Sequence, residues 1–498
     1  MEEQRREFMS EAREFDVVVV GCGGAGLSAA CAAQEKGARV CIIERASKDE
    51  YGGNTRYTGA WLRMKSMELV SEDFEEHFAV NAGGYLDPTV VAETARDPES
   101  WSAAAKAASF VDPNVVTALA DNAPATLAWI SGFGVQYVTL DVPFPTSVQP
   151  RISPNGGGIA LLEAFMPAFL AKGGTVRYDS AARSLLMSPD GEVRGIRGTG
   201  PGNRPFEVTA AAVILACGGF EGNAEMLNRY MGPRALYMRP MSRGGYYNKG
   251  EGIQMALEVG AAPCGDFGSC HASPMDPRSN RAGPSMYIYP YGILVNKDGM
   301  RFTDEGPGPT DETYESVTRQ IYAQPSGIAW TILDAKLKDV PHQSVAIRTE
   351  QPAITGATLA ELAGKLGIPA DMFEQTVAQY NAACQPGAFD PVRLDGLATR
   401  GLHPRKSNWA RPIDTATYTA YPIISSIVLT FGGLKTDPVA RVLNQQGESI
   451  PGLYAVGETQ GLYYHNYTGA TSVLKGLVFG RLAGYDAAGI AASARIES

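Results

Sequence analysis

Apolar and polar positions along this chain fall into blocks whose spacing predicts the local structure. Phe15 to Val20 is a run of aromatic and β-branched residues bounded by polar ones, which predicts a buried strand. A small-residue helix follows, and then a second apolar strand from Arg39 to Ile43. Segments between 66 and 150 show helical, partly polar spacing, as in DPNVVTALADNAPATLAWISGFG. A strand pair is predicted at 174–178 and 191–198, flanking Ala181-Ala182. ATLAELAGKLGIPADMFEQTVAQYNAAC repeats apolar residues three and four apart, with Pro369 opening a second helix. Tyr287, Tyr289 and Tyr291 alternate as residues on one strand face do. IPGLYAVGE predicts a late buried strand, and YYHNYTGATSVLKGLVFGRLAG a glycine turn that enters a helix. No apolar run is longer than a strand, so no membrane insertion is expected.

The first strand ends in Gly21-Cys22-Gly23-Gly24-Ala25-Gly26. Strand, glycine turn, helix and second strand form the setting of a dinucleotide fingerprint. Gly21 permits the tight turn, Gly23 lets backbone approach a pyrophosphate, and Gly26 allows close helix–strand contact. Glu44, at the tip of the second strand, is placed to accept hydrogen bonds from ribose hydroxyls. A glycine turn of purely structural use is the alternative reading. One such unit suffices for NAD, but here Glu44 is followed by Arg45 and by a second small, hydrogen-bonding cluster. Gly52, Gly53, Asn54 and Thr55, then Thr58 and Gly59, suit the ribityl and isoalloxazine half of FAD. Gly457-Glu458, after the late strand, suits closure of that site by both chain ends.

These motifs resemble those of the flavoprotein family of fumarate reductase and succinate dehydrogenase. That family also includes 3-ketosteroid Δ1-dehydrogenases and tricarballylate dehydrogenase, and the latter two branches are nearest. AAAVILACGGFEGN is similar to the family's strand and Ala-Thr-Gly-Gly turn, giving Ala216, Gly218 and Gly219, with Cys217 in the threonine position. NKGEGIQMALEVGA resembles its Asn-Thr-Gly-Asp-Gly segment, giving Asn248 and Gly250, and GILVNKDGMRFTDEG its capping strand and turn. The resemblance implies an α/β, Rossmann-like FAD-binding domain interrupted by a smaller α+β capping domain. The expected division is 14–265, 266–426 and 427–498. It also implies that backbone near Ala182 holds the adenine. Beyond Ala470, backbone N–H groups of Ser472 and Val473 would serve the flavin N1–C2=O edge. GGNTRYTG holds no histidine for a covalent link, so the FAD is expected to be non-covalent.

Composition narrows the function classes. With 498 residues, 44% of them hydrophobic and 19% charged, the chain can bury a large core. A net charge of −10 argues against a nucleic-acid partner. The seven cysteines show neither metal-ligand nor haem-attachment spacing. They suit reduced thiols in a cytoplasmic protein, and Arg5-Arg6 lack the apolar core of a secretion signal. Electrons would then pass between the flavin and an unidentified external acceptor or donor.

The family's chemistry implies exchange of hydride between a substrate carbon and the flavin, making or removing a C=C bond. Three basic groups of the fumarate reductases are absent. Their proton-donating arginine falls at Pro309, their carboxylate-binding histidine at Leu429 and their second carboxylate arginine at Tyr467. Tyrosine cannot clamp a carboxylate as arginine does. It can polarise a carbonyl, as a tyrosine in the steroid enzymes' similar tail does. A small carbonyl- or carboxyl-activated substrate is therefore expected, with Tyr467 on the activating oxygen and Tyr314 transferring the proton. His271 and His465 are alternates for that transfer, and Tyr464 and Arg63 are candidate substrate contacts. Arg301 is expected to pair with Asp304 or Glu305. A dioxygen-using flavin oxidase or monooxygenase, or a non-catalytic electron-transfer flavoprotein, are the alternatives.

Overall fold

A computed structural model describes residues 14–83, 87–94, 96–140, 151–341 and 343–496. One sheet, drawn from both ends of the chain, has six strands in the order Arg441–Leu443, Ser449–Ala455, Ala212–Leu215, Val17–Val20, Val40–Ile43, Thr175–Arg177. All pairings are parallel except that of the first two strands. Val17–Val20 lies near the middle, and all four valines are buried, as a strand covered on both faces requires. On one face the helix Gly24–Glu35 packs against the long C-terminal helix Ser472–Ile496. Their backbones approach so closely that a Cβ on Gly484 would lie 2.3 Å from the Ala29 carbonyl oxygen. Ser28 Oγ donates to the Leu477 carbonyl at 2.7 Å across the same seam. Residues more than four hundred positions apart thus share one interface beside the glycine turn.

Ala181-Ala182 do not sit between strands but open one, Ala181–Met187, which pairs with Val193–Gly200 and through it with Arg204–Thr209. The helical reading of 66–140 holds in Phe74–Asn81, Pro88–Thr94, Ala103–Ala107 and Pro113–Ser131. Residues 141–150 lie outside the described residues. A second sheet is built on the long strand Tyr418–Thr430, flanked by Arg239–Pro240 and Cys270–Met275 on one part and Ile328–Leu333, with Ile293–Asn296 beyond it, on the other. The helices Leu359–Leu366 and Ala370–Ala383 cover it, with Leu362, Phe373 and Val377 packed on Ile293, Ile332 and Ala420. The long strand runs through position 426, so this sheet is continuous across the expected boundary.

The Tyr287–Tyr291 alternation does not make a strand. Pro290 lies in a 3-10 turn, Tyr289–Tyr291, and the three rings diverge. Tyr289 is core, the Tyr291 hydroxyl donates to the Pro391 carbonyl, and Tyr287 bonds Ser273. Arg301 is structural as expected, with Glu305 as the partner: its Nη2 donates to Glu305 Oε2 at 2.6 Å, both side chains buried. Among the described residues no helix is long and apolar enough to cross a membrane.

Candidate functional site

The glycine turn gives the site its shape. Gly21 adopts φ +106°, and a Cβ there would lie 2.3 Å from the Ala216 carbonyl oxygen. A Cβ on Gly26 would lie 2.1 Å from the Gly21 carbonyl oxygen, so helix and strand can meet only at glycine. No side chain caps the helix at Gly23. Thr55 Oγ1 accepts the Gly24 N–H at 3.2 Å, tying the second small-residue cluster to the first. Glu44 is buried and accepts from the Cys22 and Ala46 N–H groups at 2.7 Å each, which fixes its carboxylate at the rim. Each oxygen keeps a lone pair for a further donor. Burial pushes its carboxyl pKa up, against the pull of those backbone donors.

From this turn a cleft runs between the sheet ends. Most of the expected cofactor residues line it: Gly21, Gly23, Gly24, Ala25, Glu44, Arg45, Gly52, Gly53, Asn54, Thr55 and Thr58. Ala182, Ala216, Gly218, Asn248, Gly457, Glu458, Ser472 and Val473 complete that set. Gly26, Gly59, Gly219, Gly250 and Ala470 stand behind the wall. Gly219, for example, passes where a Cβ would lie 2.0 Å from Thr430 Oγ1, and Ala470 accepts the Arg63 N–H. Arg45 pairs with Glu251, which also takes Arg183 at 2.8 Å. A helix N-terminus faces one part of the cleft, with a buried acid at one side and a hydrogen-bonding loop at the other. This donor set fits FAD.

Tyr467, His271 and Tyr314 come together beside this cleft from three separate elements. Tyr314 lies on the helix Thr310–Tyr322 and His271 on the strand Cys270–Met275, paired in register with the cleft-lining Leu429. His271 Nε2 and the Tyr314 hydroxyl are 2.5 Å apart. The imidazole stacks on the Tyr467 ring with centroids 4.2 Å apart and planes 24° from parallel. Burial, with the nearby Arg319 charge, lowers the His271 pKa to about 3, so the ring is neutral at physiological pH. Its Nδ1 has no hydrogen-bond partner among the described residues.

The Tyr467 hydroxyl sits at the start of the C-terminal helix. It accepts from the Thr471 and Ser472 N–H groups at 3.1 and 2.9 Å and donates to Ser472 Oγ at 2.9 Å. The Ser472 N–H expected at the flavin edge is therefore held by this phenol. Desolvation raises the Tyr467 pKa, and the same helix-end donors oppose the rise. Glu315 accepts the Tyr467 N–H and pairs with Arg319 at 2.8 Å, which locks the Tyr314 helix to this turn.

The other candidates stand elsewhere. Tyr464 is buried, and its hydroxyl is taken up by Ser109, Cys264 and the Gly265 N–H, so it packs rather than binds substrate. Arg63 is 2% exposed and committed to Asp73 at 2.5 Å, where it braces the 469–470 turn instead of meeting an anion. His465 is exposed and its ring lies on Gly83; its carbonyl accepts from Arg319 at 2.6 Å and Ser269 Oγ at 3.3 Å, and its N–H donates to Asp266 at 3.4 Å. Sequence reasoning missed Tyr463, which lines the cleft edge-on to Tyr467, and Lys475, buried in the cleft wall. Its signal was a lone charge inside the apolar helix run VLKGLVFG.

Residues 16–474 match the FAD binding domain family model. The chain is 26% identical to an NADH:acrylate oxidoreductase of Vibrio harveyi over 95% of its own length and 50% of that protein's. It thus spans about half the length of that relative. It is also 26% identical to a 3-oxosteroid 1-dehydrogenase of Mycolicibacterium smegmatis, covering 98% of this chain and all of that one. The open conformation of a flavocytochrome c3 fumarate reductase shares the fold, with a TM-score of 0.73 and 24% identity over 98% of this chain and 81% of that one.

Proposed function

This chain belongs to the FAD binding domain family, and on that premise we propose that it is an FAD-dependent oxidoreductase interconverting C–C and C=C bonds. Its substrate would be a small molecule activated by a carbonyl or carboxyl group. The observation that supports this most is the Tyr314–His271 hydrogen bond stacked on Tyr467 beside the cleft wall. FAD, when bound, supplies a two-electron acceptor or donor for hydride. The chain supplies the rest. Tyr467 turns its O–H from Ser472 Oγ to the substrate oxygen, and the two helix-end N–H groups it accepts make it a stronger donor. That hydrogen bond stabilises enolate character while the α-proton leaves or arrives. Tyr314 carries this proton, and neutral His271 Nε2 holds the phenol in place by hydrogen bonding. Tyr463 packs edge-on against Tyr467 and Tyr287 edge-on against Tyr314, which fixes both phenols.

The FAD is held without a covalent bond, which acid precipitation tests by releasing all the colour. An external electron donor or acceptor completes turnover. Seven free, mostly buried cysteines support a reducing, cytoplasmic setting. The division at 265 and 426 is kept as a functional one, between cofactor-holding and substrate-covering segments. The direct test is anaerobic mixing of the yellow protein with saturated ketones and acids, and of its dithionite-reduced form with acrylate, fumarate, cyclic enones and 3-oxosteroids. Bleaching by a saturated compound, or reoxidation by an unsaturated one, is expected. If no member of the panel changes the flavin spectrum while dioxygen reoxidises it rapidly, the oxidase reading replaces this one.

A further inference from the structure

Lys475 is the fourth residue of the C-terminal helix and lies in the same cleft wall as Ser472, Val473 and Glu458. It is 1% exposed. Among the described residues its Nζ donates one hydrogen bond, to the Gln460 carbonyl at 2.6 Å, and rests 4.9 Å from the centre of the Tyr463 ring. An ammonium has three donors, and burying it with one carbonyl and a ring face leaves it short of compensation. The acids near it are already engaged. Glu458 accepts from the Thr430 N–H and hydroxyl, and Glu221 behind it accepts from Asn54 and Asn248. Asn248 Nδ2 also reaches Glu458, at 3.5 Å, so the two carboxyls form one buried system. Desolvation raises the pKa of both, which lowers the negative charge they offer Lys475. A cation kept in this wall suits a ligand whose charge becomes more negative.

We propose that Lys475, set in the cleft wall beside the start of the C-terminal helix, supplies the positive charge that favours the reduced state of bound FAD. The reduced isoalloxazine carries negative charge that the oxidised ring lacks, so a buried cation beside it shifts the equilibrium toward reduction. Lys475 does not touch the reacting carbons and acts through the flavin, as a positioning residue. Burial lowers its pKa to about 7, so reduction near pH 8 would draw a proton onto it. The titratable groups facing it are Glu458, with Glu221 behind, Cys264 and Tyr463.

Potentiometry tests this without any substrate, so its outcome is independent of the proposed reaction. In the wild type, two protons per two electrons near pH 8 give a midpoint slope of about 60 mV per pH unit, against about 30 mV for one. Lys475→Met is expected to bind FAD and to show the shallower slope. At pH 6 its ratio of reduced to oxidised flavin at fixed potential should fall at least tenfold, about 30 mV in midpoint. Its affinity for sulfite, which also adds negative charge to the ring, should weaken at least tenfold. Lys475→Gln serves if the methionine variant does not fold. A shallow wild-type slope near pH 8, or a yellow variant with wild-type potential and sulfite affinity at pH 6, overturns the proposal.

Discussion

Replacing Tyr314 by phenylalanine separates its chemical role from its structural one. The ring contacts survive, because Phe keeps the edge-to-face packing on Tyr287 and His271, at 5.5 and 5.8 Å between centroids. The 2.5 Å bond to His271 Nε2 is lost, and that nitrogen joins Nδ1 in having no partner. Leaving one buried polar atom unsatisfied costs about 1–3 kcal/mol of stability. Removing a positioned proton carrier costs about 10²–10⁴ in rate, equivalent to roughly 3–5 kcal/mol in the barrier. The second effect is the larger and falls on turnover alone. The assay is the rate of anaerobic flavin bleaching at saturating substrate, on protein shown to be FAD-loaded and folded. Tyr314→Phe should lose at least a hundredfold in that rate with the substrate KM little changed, while its melting temperature falls by a few degrees. A loaded variant that reduces its flavin within threefold of the wild-type rate would refute the proton-transfer role.

Other consequences are equally direct. Gly26→Ala places a Cβ 2.1 Å from a backbone oxygen that cannot move aside, so FAD affinity should drop at least tenfold by fluorescence titration, with a stability loss of about 1–3 kcal/mol or more; unchanged affinity contradicts the close-approach argument. Tyr467→Phe leaves the Thr471 and Ser472 N–H groups without their acceptor, and a hundredfold or greater fall in turnover should accompany a lowered melting temperature; full activity would remove Tyr467 from the mechanism. His271 is held neutral in the fold with its pKa at about 3, below the unfolded value near 6.5. The unfolded chain binds that proton first, so stability is lost as pH falls from about 6.5 towards 3, by roughly 3 kcal/mol at pH 4. Urea unfolding from pH 7 to pH 4 should show this acid slope in the wild type and a weaker one in His271→Phe.

The sequence made the cofactor half legible because its signals are local. A glycine turn between two buried strands fixes where backbone and ligand meet, and Glu44 follows at a set distance along the chain. The register of Cys270–Met275 on Tyr418–Thr430 is not local, so the histidine opposite Leu429 was visible only as one candidate among several. Tyr314 and Tyr467 were found through a resemblance, whereas their meeting at His271 depends on how the second sheet docks. Arg63 and Tyr464 were named from the sequence without their partners, because Asp73 beside Arg63, and Ser109 and the Gly265 amide beside Tyr464, are tertiary neighbours or lie in other elements. The tyrosine alternation at 287–291 misled because Pro290 breaks the strand that alternation alone implies. Lys475 and Glu221, which lies beside Glu458, escaped notice because burial of a charge is a tertiary fact.

The account turns on hydrogen being exchanged across a carbon–carbon bond beside Tyr314, His271 and Tyr467. Mass spectrometry of the product from an anaerobic single turnover, with the FAD-loaded protein and a substrate that bleaches it, tests this most directly. The prediction is a product two hydrogens lighter, with the new double bond next to the activating carbonyl or carboxyl group. A product carrying an added oxygen atom, formed only when air is admitted, or a bleached flavin with the compound unchanged, would contradict it.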